Sequence, residues 1–177
     1  MKLTLAGNYL NTTYADDNGK INYKSHTTST FPGGKTNIVK VLPADIPRRQ
    51  NSGDGEAELG DRFAHMARID WKIISDFQLG GEEVSAKKFF RREIWAAKKN
   101  RIFTGEDGKE YRWLFGAWAP ELILNDGSKT QVAVYHPTKI FGPKRPGVLE
   151  IHPEWEHMAD IIIVTFIYVE TLRRRGD

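Results

Sequence analysis

The stretch Pro153–Gly176, PEWEHMADIIIVTFIYVETLRRRG, decides how the rest of the chain must be arranged. Its middle, Ala159 to Val169, is rich in β-branched residues and favours a strand on propensity alone. Its flanks favour a helix. Pro153 suits a first helical position, and Glu154 and Glu156 fall in the first turn, where the helix dipole favours negative charge. Arg173, Arg174 and Arg175 fall in the last turn, where cations are favoured, and Gly176 follows as a terminator. A helix over residues 153–175 would be roughly 34 Å long at ~1.5 Å per residue. On a wheel Asp160, Thr165 and Glu170 scatter and leave no polar face, so such a helix has to be buried on all sides. Lipid is the poorer place to bury it. The uncharged run Ile161 to Val169 falls well short of the ~20 residues that a bilayer span needs.

Upstream, from Leu3 to Ile151, short runs of β-formers alternate with turn chemistry. Asn11–Ala15 and Lys20–His26 flank Asp16-Asp17-Asn18-Gly19, where Asn-Gly is expected to supply the two positive-φ positions of a tight hairpin. A second hairpin joins Arg101–Thr104 to Glu110–Phe115 across Gly105-Glu106-Asp107-Gly108. A third joins Glu121–Leu124 to Gln131–His136 across Asn125-Asp126-Gly127-Ser128. Thr36–Val41 and Ala67–Ile74 read as further strands, and Phe31-Pro32-Gly33-Gly34-Lys35 as a turn. Eight or nine antiparallel strands are expected in all. With a helix apolar on every face, the expected architecture is α+β and mainly β: a closed antiparallel barrel around the C-terminal helix. A flat sandwich with a packed helix is the alternative.

The composition agrees with one domain over residues 1–177, 40% of it hydrophobic and 28% charged. Arg48 to Arg62 is polar and Gly-rich and is expected to be a mobile loop insertion, not a domain boundary. The chain has no Cys, which removes disulfides, thiolate catalysis and every Cys-based metal site, and leans toward a reducing compartment. The start, MKLTLAGNYL, is too short in its apolar run for a signal peptide, so a cytoplasmic, peripherally membrane-associated protein is expected.

The runs DRFAHMARIDW (61–71), GGEEVSAKKFFRRE (80–93), RIFTGEDGKEYRW (101–113), PELILNDGSKTQVAVYH (120–136) and LEIHPEWEHMADIIIVTFIYVETLRRR (149–175) carry a resemblance over nearly the whole chain. Together they resemble a family of small fungal proteins, abundant in mushroom-forming species and classed as a domain of unknown function. That family is similar in turn to the tubby-like superfamily, which includes the LURP-one-related proteins and the phospholipid scramblases. The resemblance implies a closed barrel around a hydrophobic central helix and a leaning toward anionic lipid. It implies no residue-by-residue binding motif.

The strongest charge feature is Lys87 to Arg101, KKFFRREIWAAKKNR, with a segment charge of +6 within a chain of net charge +3. If helical, it would align Lys87, Arg91 and Lys98 beside Lys88, Arg92 and Lys99. Trp95 would fall within that basic sector, and Phe89, Phe90 and Ile94 on the opposite arc. The plain reading is a solvated amphipathic helix packed by its aromatics. The functional reading is an anionic-lipid surface built from Lys87, Lys88, Arg91, Arg92, Trp95, Lys98, Lys99 and Arg101, where each cation near the membrane gains ~1 kcal/mol. Nucleic acid is a weaker fit to the same mix. Lys139, Lys144 and Arg145 could extend the patch.

Catalytic signatures are missing: there is no nucleophile elbow and no phosphate-binding glycine loop. His152 and His157 lie five apart, the wrong spacing for a shared metal on a helix, and a helix-start role for HPEWEH is expected. His26, His65 and His136 stand singly in strand patterns. No catalytic residue, metal or cofactor is expected. Trp71, Trp113 and Trp155 are expected in the core, and Trp118, on a loop of small residues, outside it as a candidate ligand or membrane contact. The expected activity is non-enzymatic binding or adaptor function toward an anionic phospholipid or membrane surface. An enzyme with a pocket at the barrel rim and a scaffold for a protein partner are the alternatives.

Overall fold

The computed structural model describes residues 1–42, 63–72, 75–95, 98–138 and 145–176. The expected loop insertion at 48–62, together with Lys139 and Lys144, lies outside the described residues.

Thirteen strands form one antiparallel sheet, more than the eight or nine expected. In chain order they are β1 (Lys2–Leu5), β2 (Thr12–Ala15), β3 (Ile21–Thr27), β4 (Gly34–Val41), β5 (Phe63–Trp71), β6 (Asp76–Leu79) and β7 (Glu82–Ser85). A single helical turn, α1 (Ala86–Phe89), leads to β8 (Arg91–Trp95), β9 (Lys98–Thr104), β10 (Glu110–Phe115), β11 (Pro120–Leu124), β12 (Gln131–His136) and β13 (Val148–Ile151). A 3-10 helix (Pro153–Met158) then precedes α2 (Ala159–Arg175).

The three expected hairpins are present as β2–β3, β9–β10 and β11–β12. The first turn differs in detail: Gly19 has φ 76° but Asn18 does not reach positive φ. Its i→i+3 bond from Gly19 N–H to Asp16 O makes a type I turn ended by the left-handed Gly19, and a separate register shift at Tyr14/Ala15 leaves Asn22 as an extra residue on β3. The expected strand Ala67–Ile74 starts earlier, at Phe63, and ends at Trp71.

Sheet order is β7-β6-β5-β4-β3-β2-β1-β13-β12-β11-β10-β9-β8. The first strand thus pairs with the last, and the two edges, β7 and β8, are neighbours in sequence. The ladder is not closed by hydrogen bonds: among the described residues β7 and β8 do not pair. Side chains occupy that seam instead. Phe77 of β6 meets Phe89 and Phe90 edge-on at 5.4 and 5.9 Å, and Phe103 of β9 meets the same two rings at 5.6 and 6.0 Å. Ala86 N–H donates to Ser75 O at 2.8 Å, which carries the β6–β7 ladder into α1.

Helix α2 explains the sequence that opened the argument. Every residue from Ile162 to Leu172 is buried. The helix packs against β5, β10 and β11, and its aromatic contacts extend to β6 and β12, so both halves of the sheet curl onto it. Its buried polar side chains have partners. Thr165 and Thr171 hydroxyls donate to the carbonyls of Ile161 and Ile167, each at 2.7 Å. Glu170, with no exposure, accepts from Arg173 at 2.6 and 2.9 Å and from Arg174 at 2.7 Å. Asp160 accepts from Tyr23 Oη and Lys40 Nζ, both at 2.8 Å. Gly176 ends the helix at φ 78°.

The expected single helix over residues 153–175 is divided. Residues 153–158 form the 3-10 turn, with Trp155 at φ −111°, ψ 15°, which buries its indole. His152 caps this turn by accepting from Glu154 N–H at 3.4 Å, the helix-start role expected of HPEWEH. The amine of Met1 bonds Ile151 O and the carboxylate of Glu156, tying the start of β1 to β13 and the 3-10 turn.

Candidate functional site

The basic segment is not an amphipathic helix. Only Ala86–Phe89 is helical, and Arg91–Trp95 and Lys98–Thr104 pair as a β-hairpin. Helical spacing of the cations was a coincidence of two strands. Along β9, Phe103 faces the core and pairs with the buried Tyr111, and Arg101 pairs with the buried Trp113. Period-2 alternation therefore aims Arg101 at the interior, and its cross-strand partner Arg92 lies on the same face.

These two arginines belong to a cleft of about 520 Å³ at the end of the molecule where α2 terminates. Its floor is apolar: Ala86, Phe90, Tyr168 and Leu172. Tyr168 is sandwiched between Phe90 at 5.4 Å and Trp71 at 6.0 Å, both stacked, with Phe77 edge-on at 5.0 Å. The walls are cationic. Lys72 past β5, Lys87 on α1, Arg91 and Arg92 on β8, Arg101 on β9 and Arg175 on α2 converge from five segments. No Asp, Glu, His or Cys lines the cleft among the described residues, and Ser75 adds a buried hydroxyl-bearing side chain.

Among the described residues, Lys72 and Arg91 are held by carboxylates. Lys72 reaches Asp76 at 2.7 Å, which raises its pKa above the ordinary lysine value, and Arg91 grips Glu110 with bonds of 2.7 Å to both oxygens. The Arg91 guanidinium in turn lowers the Glu110 pKa, with help from Asn125. Arg175 lies over the Trp71 ring at 5.1 Å and Arg101 over Phe115 at 5.5 Å, cation–π contacts that hold each guanidinium near its ring. Lys87 and Arg92 are exposed and make no ion pair with the described residues. Arg92 and Arg101 lie directly opposite each other on the β8–β9 ladder, which places two guanidiniums side by side in the cleft. Planar guanidiniums with an ammonium beside them suit an oxyanion with several oxygens, phosphate above all.

Of the residues expected in the site, Lys87, Arg91, Arg92 and Arg101 are brought together. Lys88 is exposed on α1 outside the lining. Trp95, Lys98 and Lys99 are placed on the β8–β9 hairpin by their backbone. Lys72 and Arg175 were missed. The Arg173–Arg175 triplet was read as a helix stop, and only the fold shows that its last member turns into the cleft. His26, His65 and His136 are exposed on strands, and no group of three His, Asp or Glu side chains among the described residues could hold a metal. A second hollow of similar size lies on the outer face of β2–β4, lined by Asn11, Thr13, Lys24, His26 and Asn37, and gathers no comparable charge. No helix among the described residues is long and apolar enough to cross a membrane.

The chain belongs to the family of unknown function DUF6593, whose profile matches residues 7–175. No curated protein and no solved structure matches it.

Proposed function

We propose that the protein binds anionic membrane lipid, with the cleft beside the seam taking a phosphorylated headgroup. One observation carries this reading: six cations from five segments converge on a cleft whose described lining holds no carboxylate. Lys87 and Arg92 stand at its mouth, Arg101 and Arg175 are held by cation–π contacts, and Lys88 adds charge beside it. The same lining has no carboxylate pair or histidine to act as general acid and base, which favours binding over the rim-pocket enzyme.

In this reading the sheet works as a closed barrel of tubby-like or LURP-one-related type, one domain serving as a peripheral cytoplasmic adaptor. The burial of α2 on all sides supports closure, as does the bridging of β7 and β8 by α1 and its phenylalanines.

Co-sedimentation with phosphatidylcholine vesicles, with and without phosphatidylserine or a phosphoinositide, tests the reading. Binding is expected only when anionic lipid is present. Each cation near the surface contributes ~1 kcal/mol, so Lys87→Glu with Arg92→Glu should weaken binding by about thirtyfold or more. Titration with inorganic pyrophosphate reads the cleft without a membrane, and the same pair of substitutions should abolish that signal. Wild-type binding that is unchanged by the double reversal in both assays overturns the cleft as the site.

A further inference from the structure

Two large hydrophobic side chains stand out in solvent among the described residues: Phe31, 76% exposed, and Trp118, 85% exposed. They are 87 positions apart in sequence, yet the fold brings both to the end of the molecule where α2 stops. Trp118 lies in the β10–β11 loop, whose Ala117 carbonyl accepts from Arg173 at 3.2 Å. Phe31 lies in the β3–β4 loop, where Gly33 N–H donates at 2.8 Å to the carbonyl of Trp71, the residue whose ring carries Arg175. Arg173 and Arg175 are two residues apart and so point roughly 200° apart around the helix. The two loops therefore flank opposite sides of the same cationic helix end.

Neither aromatic is exposed because its loop is loose. Phe31-Pro32-Gly33-Gly34 closes with a 2.9 Å bond from Gly34 N–H to Phe31 O, Pro in its second place and Gly33 at φ 93° in its third, a type II turn. Gly116 fits so closely against the carbonyl of Ala119 that a Cβ there would collide with it. Both loops are built, and both hold an apolar side chain outward. Arg173 and Arg175 stand between the two loops, and the cationic cleft opens at the same end of the molecule. Aromatic anchors at a cationic end match the bilayer interface, where Trp and Phe enter the headgroup–acyl boundary and cations meet anionic phosphates. A protein partner would have to supply both an apolar surface and a matching acidic one. A lipid bilayer supplies both by its composition.

We infer that Phe31 and Trp118 insert into an anionic bilayer as paired anchors, which sets the molecule with the axis of α2 steep to the membrane and its C-terminal end facing it. This rests on the lipid-binding reading above and adds the orientation and the apolar contact. Brominated phosphatidylcholine mixed with phosphatidylserine in vesicles provides the test, because bromine quenches only indoles within the bilayer. Wild-type fluorescence should fall on binding, and W118F should lose that quenching while still sedimenting with the vesicles. F31A combined with W118A should lower partitioning about tenfold or more, since each ring would lose its burial. Pyrophosphate titration of that double variant should match wild type, because the cleft is untouched. Vesicle binding that depends on Arg92 but shows neither quenching nor loss in F31A/W118A overturns the insertion and leaves the cleft reading standing. No vesicle binding by wild type overturns both. Self-association without vesicles that F31A/W118A abolishes would assign the face to a second copy and overturn the inference.

Discussion

The two ends of the sheet differ in the charge of the side chains that close their turns. Where α2 begins, three hairpin turns close on their own carboxylates. Asp16 accepts from the N–H groups of Asn18 and Lys20 at 2.9 and 3.0 Å, Asp126 accepts from Ser128 N–H at 2.9 Å, and Asp107 accepts from Lys109 N–H and the Tyr111 hydroxyl. Where α2 ends, the turns close on neutral side chains instead: Asn8 accepts from the N–H groups of Leu10 and Asn11, and Ser29 accepts from Phe31 N–H, while cations line the cleft beside them. Both ends hang from one sheet and one helix, so the difference is not one of core packing. It separates an end whose turns are built on carboxylates from an end whose turns are built on neutral groups and whose cleft is cationic. It also complements the dipole of α2, with carboxylates gathered at its positive end and cations at its negative end.

Breaking the shared axis should erase the comparison. Ile163→Asp or Phe166→Asp places a charge where the residue has no exposure, and the loss of several kcal/mol should abolish soluble folding at both ends. A soluble, cooperatively unfolding variant would show that the helix is not the axis. A smaller and more local effect is expected at the seam. Phe90→Ala should cost about 3 kcal/mol, read by denaturant unfolding. Hydrogen exchange should then rise first in β6–β9, while β1 and β13, joined by a backbone ladder, stay protected.

The smallest effect sharpens the contrast by pH. Burial works to raise the pKa of Asp16 and of Asp107, but hydrogen bonds outweigh it. Lys20, Asn22 and Asn18 pull Asp16 below the usual range, and Tyr111 and Lys109 do the same for Asp107. The Ser128 hydroxyl and N–H lower Asp126. A carboxyl whose folded pKa lies below its unfolded value stabilises fully above that unfolded value and loses the contribution as pH falls toward the folded one. Thermal stability should therefore decline as pH drops below about 4. Asp107→Asn should flatten that decline, whereas Lys87→Glu should leave its wild-type shape.

The sequence announces its turns and its helix because both are local. Asp16–Gly19 and Gly105–Gly108 specify hairpins whatever surrounds them, and the charged flanks of α2 override its β-branched interior once an enclosing core exists. Trp118 is exposed as its small-residue neighbours suggested, and Trp71, Trp113 and Trp155 are buried as expected. What failed was the basic segment. Arg91–Trp95 is an edge strand beside an open cleft, so cations replace the apolar residues that would have marked its inner face, and only their accidental helical spacing was visible. Asp76–Leu79 and Glu82–Ser85 went unread because four-residue strands leave little periodicity to detect. The cleft needed Lys72 and Arg175, more than a hundred positions apart, and only the fold brings them together.

The pairing of β1 with β13 also bears on how the chain is made. A ribosome releases Lys2–Leu5 before the rest of the sheet, yet their antiparallel partner Val148–Ile151 emerges only after the other described strands, and the core-filling helix later still. Until then Trp71, Phe77 and Trp113 face an unfilled interior, and the strands near the N-terminus have a free edge where β13 will dock. Completion therefore waits until α2 has been made, and the long sequence separation of the closing contacts makes it slow. The nascent chain exposes apolar surface throughout that interval, which makes it a client for holding chaperones and prone to aggregate at high expression rates.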